Sequence, residues 1–249
     1  MMPTAFLVDA FSEVTFYAGA MGLLLWYALC RSLECGPRAI TAGDLDKLRR
    51  IRSWYLTLPI SIVFGYVLGP SYMMQLVVAL LDGPPAVVAF LTTENAVARG
   101  AAMCICAFFV LDLVVGVIEY RDKLQMSTGW VHHSLYYVLY TYLYSIGGTQ
   151  YLIAGACCEI PTSIMALGTI FPALRNDIAF GLTFFVTRIC WFVLLLAVYC
   201  TPAYNTFLPL YIATPPLIAA IGMHLWWMRL WFVGMSLRAR IAAKAKAVV

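Results

Sequence analysis

The chain has 249 residues, of which 63% are hydrophobic and only 11% charged, and its formal net charge is +4. An average soluble domain has roughly 25% charged residues, so this composition excludes a soluble protein. Apolar stretches recur from residue 12 to residue 233 without a long polar interval, which leaves no room for a separate soluble module.

Apolar runs of roughly 17 to 25 residues predict helices that cross a membrane, because only a helix pairs all of its backbone groups inside hydrocarbon. The sequence therefore predicts an all-α integral membrane protein with about seven transmembrane helices. Their approximate limits are 12–30, 53–81, 98–119, 130–147, 150–171, 178–200 and 206–233. Pro59, Gly65, Gly69 and Pro70 predict a kink or a break in the second run. The apolar stretch 86–97 is too short to span, so we expect it to be re-entrant or interfacial.

Most of the 16 Lys and Arg residues fall on one side of a seven-span topology. Only Arg99 falls on the other side, and the positive-inside rule then predicts an outer amino terminus and an inner carboxyl terminus. The inner rim is suited to anionic lipid head groups, so we expect membrane lipids and no nucleic acid as partners. The basic residues of this rim are Arg31, Arg38, Lys47, Arg49, Arg50, Arg52, Arg121, Lys123, Arg175, Arg238, Arg240, Lys244 and Lys246.

Several ionisable residues lie inside the predicted spans, where an unpaired charge costs several kcal/mol. Asp112 lies about 10 Å inside the end of its helix at 1.5 Å per residue, so it needs a partner. Glu159 and Arg188 fall near mid-bilayer and are candidates to pair, either as a structural ion pair or in lipid recognition. Glu119 lies beside Arg121 and is expected to be a solvated helix terminus.

Two consecutive histidines open the fourth predicted span, at the depth of lipid head groups. Side chains of His132 and His133 point about 100° apart on a helix, so they cannot bind one ligand as an i, i+4 pair would. A neutral imidazole at this depth can act as a general base towards a hydroxyl or an amine, with Asp112 orienting it. The alternative is that both are amphipathic interfacial residues. His224 is the only other histidine, so the sequence predicts no metal site.

The order of these residues along the chain resembles the TLC domain shared by TRAM, Lag1 and the ceroid-lipofuscinosis membrane protein. The resemblance implies a six-helix membrane barrel around a lipid-accommodating cavity over residues 50–236. Residues 1–49 would be an added transmembrane helix with a basic inner loop, and 237–249 a basic tail. The matching residues are Asp112, Trp130-Val131-His132-His133, Glu159-Ile160-Pro161-Thr162, Phe184-Phe185-Val186-Thr187-Arg188 and His224-Leu225-Trp226-Trp227.

In the ceramide synthase branch of this family, the paired histidines catalyse acyl transfer from acyl-CoA to a sphingoid base. That role would fall on His132 and His133. Ceramide synthases also have a His-Asp pair and a further Asp, where this chain has Cys157-Cys158-Glu159, so it is more similar to the non-ceramide-synthase branch. The endoplasmic reticulum is the location that the resemblance implies, although a mitochondrial inner membrane fits the charge pattern equally well.

The sequence is compatible with three functions. The first is a lipid acyltransferase that uses His132, His133 and Asp112, with acyl-CoA as substrate and no tightly bound cofactor. The second is a protein that binds a phospholipid or sphingolipid without chemistry, for which Glu159, Arg188, His224 and Trp130 are the predicted contacts. The third is a structural subunit of a membrane complex, whose first span packs against another helix through small residues such as Gly19 and Gly22.

Overall fold

The computed structural model describes residues 14–34, 42–93, 95–200 and 210–246. Within these ranges the chain consists of helices and short turns, without a strand, so the predicted all-α class is confirmed. Of the predicted features, Arg38 and the loop residues 201–206 lie outside the described residues. The side chains of Lys244 and Lys246 do so as well.

The helices follow one another with short connections, and three of the described helices contain a π-helical stretch. These stretches are Val63–Leu68, Met126–Val131 and Phe185–Cys190. We number the helices α1 (Val14–Leu33), α2 (Ala42–Arg52), α3 (Thr57–Ile62, Val63–Leu68 and Gly69–Asp82), α4 (Pro84–Thr92), α5 (Ala96–Glu119), α6 (Met126–Val131 and His132–Ser145), α7 (Thr149–Ile153), α8 (Glu159–Ile170), α9 (Asp177–Phe184, Phe185–Cys190 and Trp191–Tyr199) and α10 (Leu210–Lys246).

Six helical segments of the described chain are long and apolar enough to cross a membrane. They are Val14–Leu33, Gly43–Asp82, Ala96–Glu119, Thr149–Ile170, Asp177–Tyr199 and Thr214–Arg238. The remaining predicted span, 130–147, coincides with α6 up to Ser145, and the many tyrosines and two histidines of this helix lower its hydropathy. Helix α4 has only nine residues, too few to span, in agreement with the prediction for this stretch.

Two glycines of α3 lie directly against the backbone that leads into α8. A Cβ on Gly69 would be 2.5 Å from Cys157 N, and one on Gly65 would be 2.8 Å from Ile160 N. The predicted kink or break falls on a π-helical stretch, in which the N–H of Gly69 donates to the carbonyl of Phe64. A π turn lets a helix continue past the ring of a proline such as Pro70. Gly65 and Gly69 therefore allow α3 to pack closely against the start of α8 and the residues before it.

The chain divides into two compact units, Met1–Arg175 and Asn176–Val249. Among the candidate membrane spans of the first unit, α5 is the most enclosed, with 61% of its apolar segment buried, against 17% for α1. Helix α1 packs on α5, where a Cβ on Gly19 would lie 3.2 Å from the Cα of Cys104. Gly19 thus allows close packing between two helices of this chain, whereas Gly22 faces open space. The domain boundaries at residues 49 and 236 stay predictions.

The second unit contains α9 and α10. Phe184, Ile189 and Met228 form its buried cluster, with Trp231 packed against it. Gly181 lets the indole ring of Trp231 approach α9, because a Cβ at this position would collide with the ring. Close aromatic packing thus joins the two helices of this unit.

Candidate functional site

Asp112 of α5 and His133 of α6 lie next to each other in the first unit. Asp112 is only 6% exposed, and its Oδ2 lies 3.2 Å from Nδ1 of His133. The distance is short enough for a hydrogen bond, but the ring is not aligned for one. Catalytic hydrogen bonds are often poorly aligned before a substrate binds. The structure thus places a carboxylate beside one of the two histidines, His133.

Tyr120 completes this arrangement, although nothing in the sequence pattern marks it as a site residue. Its hydroxyl donates a hydrogen bond of 2.8 Å to Oδ1 of Asp112. Helix α5 ends at Glu119, and the non-helical backbone of Tyr120 turns its ring back along the helix. Burial raises the pKa of Tyr120, and the charge of Asp112 raises it further. The phenol therefore keeps its proton and acts as a permanent donor to the carboxylate.

Aromatic rings surround the two histidines differently. The ring of His133 lies 5.4 Å from that of Phe108 and 5.3 Å from that of Phe109, between centroids. His132 lies over Tyr136, one turn further along α6, at 4.5 Å. Because consecutive side chains on a helix point in different directions, the two imidazole rings lie in different environments. The ring of His133 thus lies against Phe108 and Phe109, with its Nδ1 near Asp112.

This geometry supports one kind of chemistry. A carboxylate that receives the Nδ1 proton of a histidine holds the tautomer in which Nε2 carries the lone pair. Nε2 can then accept a proton from a hydroxyl or an amine. Because Tyr120 occupies the other oxygen of Asp112, the carboxylate cannot easily turn away from His133. Within the described residues, no group of three or more His, Cys, Asp or Glu side chains is arranged to bind a metal ion.

Four charged side chains meet where α1, α2 and α5 end. We call Arg31, Glu34, Arg52 and Glu119 the ion-pair cluster. Arg52 contacts Glu34 at 2.9 Å and Glu119 at 3.4 Å, while Arg31 contacts them at 2.5 Å and 3.5 Å. Glu119 ends its helix as predicted and its side chain is 28% exposed, but its partners Arg31 and Arg52 come from distant segments.

The ion-pair cluster should make the protein sensitive to acid. Burial alone would raise the pKa of Glu34, but hydrogen bonds from Arg52, Tyr55 and Arg31 lower it below the usual 4.5. A lowered folded-state pKa stabilises the fold above the unfolded pKa, and this stabilisation is lost as the pH falls through the folded value. We therefore expect the thermal unfolding midpoint to fall more steeply below about pH 4.5 for the wild type than for Glu34→Gln. Equal slopes would show that Glu34 is not linked to folding.

Further ion pairs lie at the same ends of these helices. Lys123 Nζ contacts Asp46 at 2.5 Å and Asp122 at 2.9 Å, and Arg49 contacts Asp122 at 3.8 Å. The basic segments around residues 31–53 and 120–129 thus meet at one end of the first unit. Which side of the membrane this end faces stays a prediction.

In the second unit, His224 and Arg188 interact directly. His224 is 2% exposed, and its Nδ1 lies 2.9 Å from the carbonyl oxygen of Arg188. A carbonyl only accepts, so Nδ1 donates and Nε2 carries the lone pair. The guanidinium of Arg188 lies 5.3 Å from the Phe184 ring and 5.9 Å from the Trp227 ring. Aromatic faces thus stabilise this buried cation.

The other predicted lipid contacts lie elsewhere. Glu159 opens α8 and is half-buried, with the thiol of Cys158 at 3.7 Å from Oε1. Trp130 lies in the π-helical start of α6 and is 38% exposed. Glu159 and Arg188 belong to different units, and their pairing stays a prediction. The roles of all seven predicted site residues likewise stay predictions.

Comparison with known proteins gives one match. The family model for the TLC domain matches residues 60–232, which include the Asp112–His133 pair and exclude α1 and α2. None of the curated proteins and none of the solved structures compared with the chain matches it. The family match covers more than half of the 249 residues. The chain therefore belongs to the TLC domain family, as an all-α membrane protein with several membrane-spanning helices.

Proposed function

We propose that this TLC protein transfers an acyl group from acyl-CoA to a hydroxyl or an amine of a membrane lipid. His133 is the general base, Asp112 orients it, and Tyr120 fixes Asp112. The single observation that carries the proposal is the distance of 3.2 Å between Asp112 Oδ2 and His133 Nδ1, with Tyr120 on the second carboxylate oxygen.

The proposed reaction balances without a further reagent. The acceptor hydroxyl or amine gives its proton to Nε2 of His133 and attacks the thioester carbonyl. The carbon–sulfur bond then breaks, and the CoA thiolate takes the proton back from Nε2. The products are an acylated lipid and free CoA. His133 returns to its starting state, so the site needs no tightly bound cofactor.

The burial of the pair supports a lipid acceptor. Asp112 and His133 have side chains that are 8% and 11% exposed, and the rings of Phe108 and Phe109 border the imidazole. An imidazole among apolar rings is partly shielded from bulk water, which favours acyl transfer over hydrolysis of the thioester. The basic end of the first unit supports binding of the CoA phosphates.

Binding of a lipid without chemistry is the second candidate. The observation that favours it is the buried Arg188, whose guanidinium lies against Phe184 and Trp227. A cation among aromatic rings can recognise a phosphate head group. For either function we propose the non-ceramide-synthase branch of the family, the endoplasmic reticulum and an inner carboxyl terminus. Association with other membrane protein subunits also belongs to this proposal.

Purified protein in lipid nanodiscs with radiolabelled acyl-CoA tests the enzymatic function. The acceptors are a sphingoid base, a lysophospholipid and a diacylglycerol, each offered separately. We expect a labelled lipid from at least one acceptor with the wild type, and at least about 10²-fold less of it with His133→Gln. Turnover that is equal in both proteins contradicts the proposed base. A wild type that binds a labelled phospholipid but forms no product with any acceptor favours the second candidate.

A further inference from the structure

Continuous contacts lead from the ion-pair cluster to His133. Arg52 and Arg31 contact Glu119, and Tyr120 follows Glu119 in the chain. The Tyr120 hydroxyl contacts Asp112 at 2.8 Å, and Asp112 contacts His133 at 3.2 Å. Both arginines lie upstream of the family match, which begins at residue 60. The contacts therefore start in a segment that the TLC domain does not include.

Tyr120 lies just beyond a helix and is 1% exposed, packed in the core of the first unit. Its N–H still donates to the carbonyl of Gly116 at 3.0 Å, but its backbone has left helical geometry. Glu119, which immediately precedes it, is held by the two arginines of the ion-pair cluster. Beyond the turn, Asp122 also forms ion pairs, but its side chain is 46% exposed, against 28% for Glu119. Of the ion pairs on either side of Tyr120, those of Glu119 are thus the more enclosed.

Arg52 binds two carboxylates of the ion-pair cluster at once. The side chains of Arg52 and Glu34 are 12% and 9% exposed, so salt screens their attraction less than it would at a surface. The guanidinium of Arg52 binds Glu34 with Nε and Nη2, at 3.0 Å and 2.9 Å, and reaches Glu119 with Nη1. A planar fork that binds two carboxylates fixes both in direction as well as in distance.

We propose that Arg52 and Arg31 act through Glu119 and Tyr120 to position the Asp112 carboxylate against His133. Arg31, Arg52 and Glu119 are positioning residues, since none of them touches the proposed reacting atoms. This inference rests on the proposed role of the Asp112–His133 pair. It makes the first helix and the end of α2 part of the functional site.

Nuclear magnetic resonance of the histidine rings tests the proposal without a substrate. The chain has 3 histidines, so ¹⁵N-labelled histidine in nanodiscs gives three sets of ring signals. Tyr120→Phe removes the hydroxyl that fixes Asp112 and should displace the Nδ1 signal of His133. We expect Arg52→Gln to displace this signal in the same direction and to leave the signals of His224 unchanged. Arg50→Gln, an exposed change two residues away, is the matched control and should displace nothing.

A double variant separates positioning from general destabilisation. If Arg52 acts through Tyr120, then Arg52→Gln in the Tyr120→Phe protein should displace the His133 signal no further. Additive displacements, or an unchanged His133 signal in Arg52→Gln, overturn the proposal. Should Arg52→Gln fail to fold, the nearly isosteric Glu119→Gln provides the same comparison. The experiment measures ring signals and not acyl transfer. Its result therefore tests the positioning of Asp112 even if the protein shows no enzymatic activity.

Discussion

Replacement of His133 by glutamine should lower acyl transfer by about 10² to 10⁴-fold, the usual contribution of a general base. Glutamine is close to histidine in size and polarity, so the contacts with Phe108 and Phe109 are largely kept. The variant lacks the ring nitrogen Nε2, which takes the proton from the lipid hydroxyl or amine. Turnover of labelled acyl-CoA in nanodiscs measures the loss, with KM for acyl-CoA expected to change little.

Two further variants identify which histidine is the base. His132→Gln should lower turnover much less than His133→Gln, because His132 lies over Tyr136 and Asp112 approaches His133. Asp112→Asn keeps the shape of the carboxylate but removes its charge, and should lower turnover by at least roughly tenfold. A larger loss for His132→Gln than for His133→Gln would assign the base to His132 and contradict the mechanism.

Replacement of Gly69 by alanine should destabilise the protein by about 1–3 kcal/mol, the usual cost of overpacking. Its Cβ would lie 2.5 Å from Cys157 N and 2.6 Å from Cys157 Cα. Both are backbone atoms, so one helix has to move away from the other. Gly65→Ala meets the backbone at 2.8 Å and should act in the same direction. The thermal unfolding midpoint in detergent, followed by circular dichroism, measures the change.

Gly22→Ala is the matched control for these variants. Gly22 also lies in a membrane-spanning helix, but a Cβ there meets nothing within 4 Å. Alanine is a better helix former than glycine by about 1 kcal/mol, so this variant should be neutral or slightly more stable. A Gly69→Ala protein as stable as Gly22→Ala would show that α3 and the start of α8 are not tightly packed.

Much of the fold follows from the sequence because membrane helices are recognisable by length and hydropathy. Six of the seven predicted spans coincide with helices that are apolar enough to cross a membrane. The span 130–147 is harder to recognise, since its tyrosines and histidines lower the hydropathy of the whole helix. The length of the run thus predicts the helix. Composition alone does not tell whether the polar side chains of such a helix face other helices or water.

The sequence predicts only some residues of the candidate site. Asp112 and His133 stand out because an ionisable group inside a span is costly and needs a partner. Tyr120 does not stand out, because it lies outside the helical register and reaches Asp112 only through a turn of the backbone. The partners of Glu119 are 67 and 88 positions away in the chain. Local charge patterns favour Arg121 instead, and only the packing of α1 and α2 reveals the correct pairs.

The ion pairs of Glu119 also limit where this protein can be joined to another in a chimera. A chimera that keeps residues 60–232 and replaces everything upstream would leave Glu119 without Arg31 and Arg52. It would also leave the α5 surface at Cys104 without the close cover of Gly19. A junction placed before α1 preserves these contacts. For this protein, the smallest exchangeable piece is therefore larger than its recognised domain.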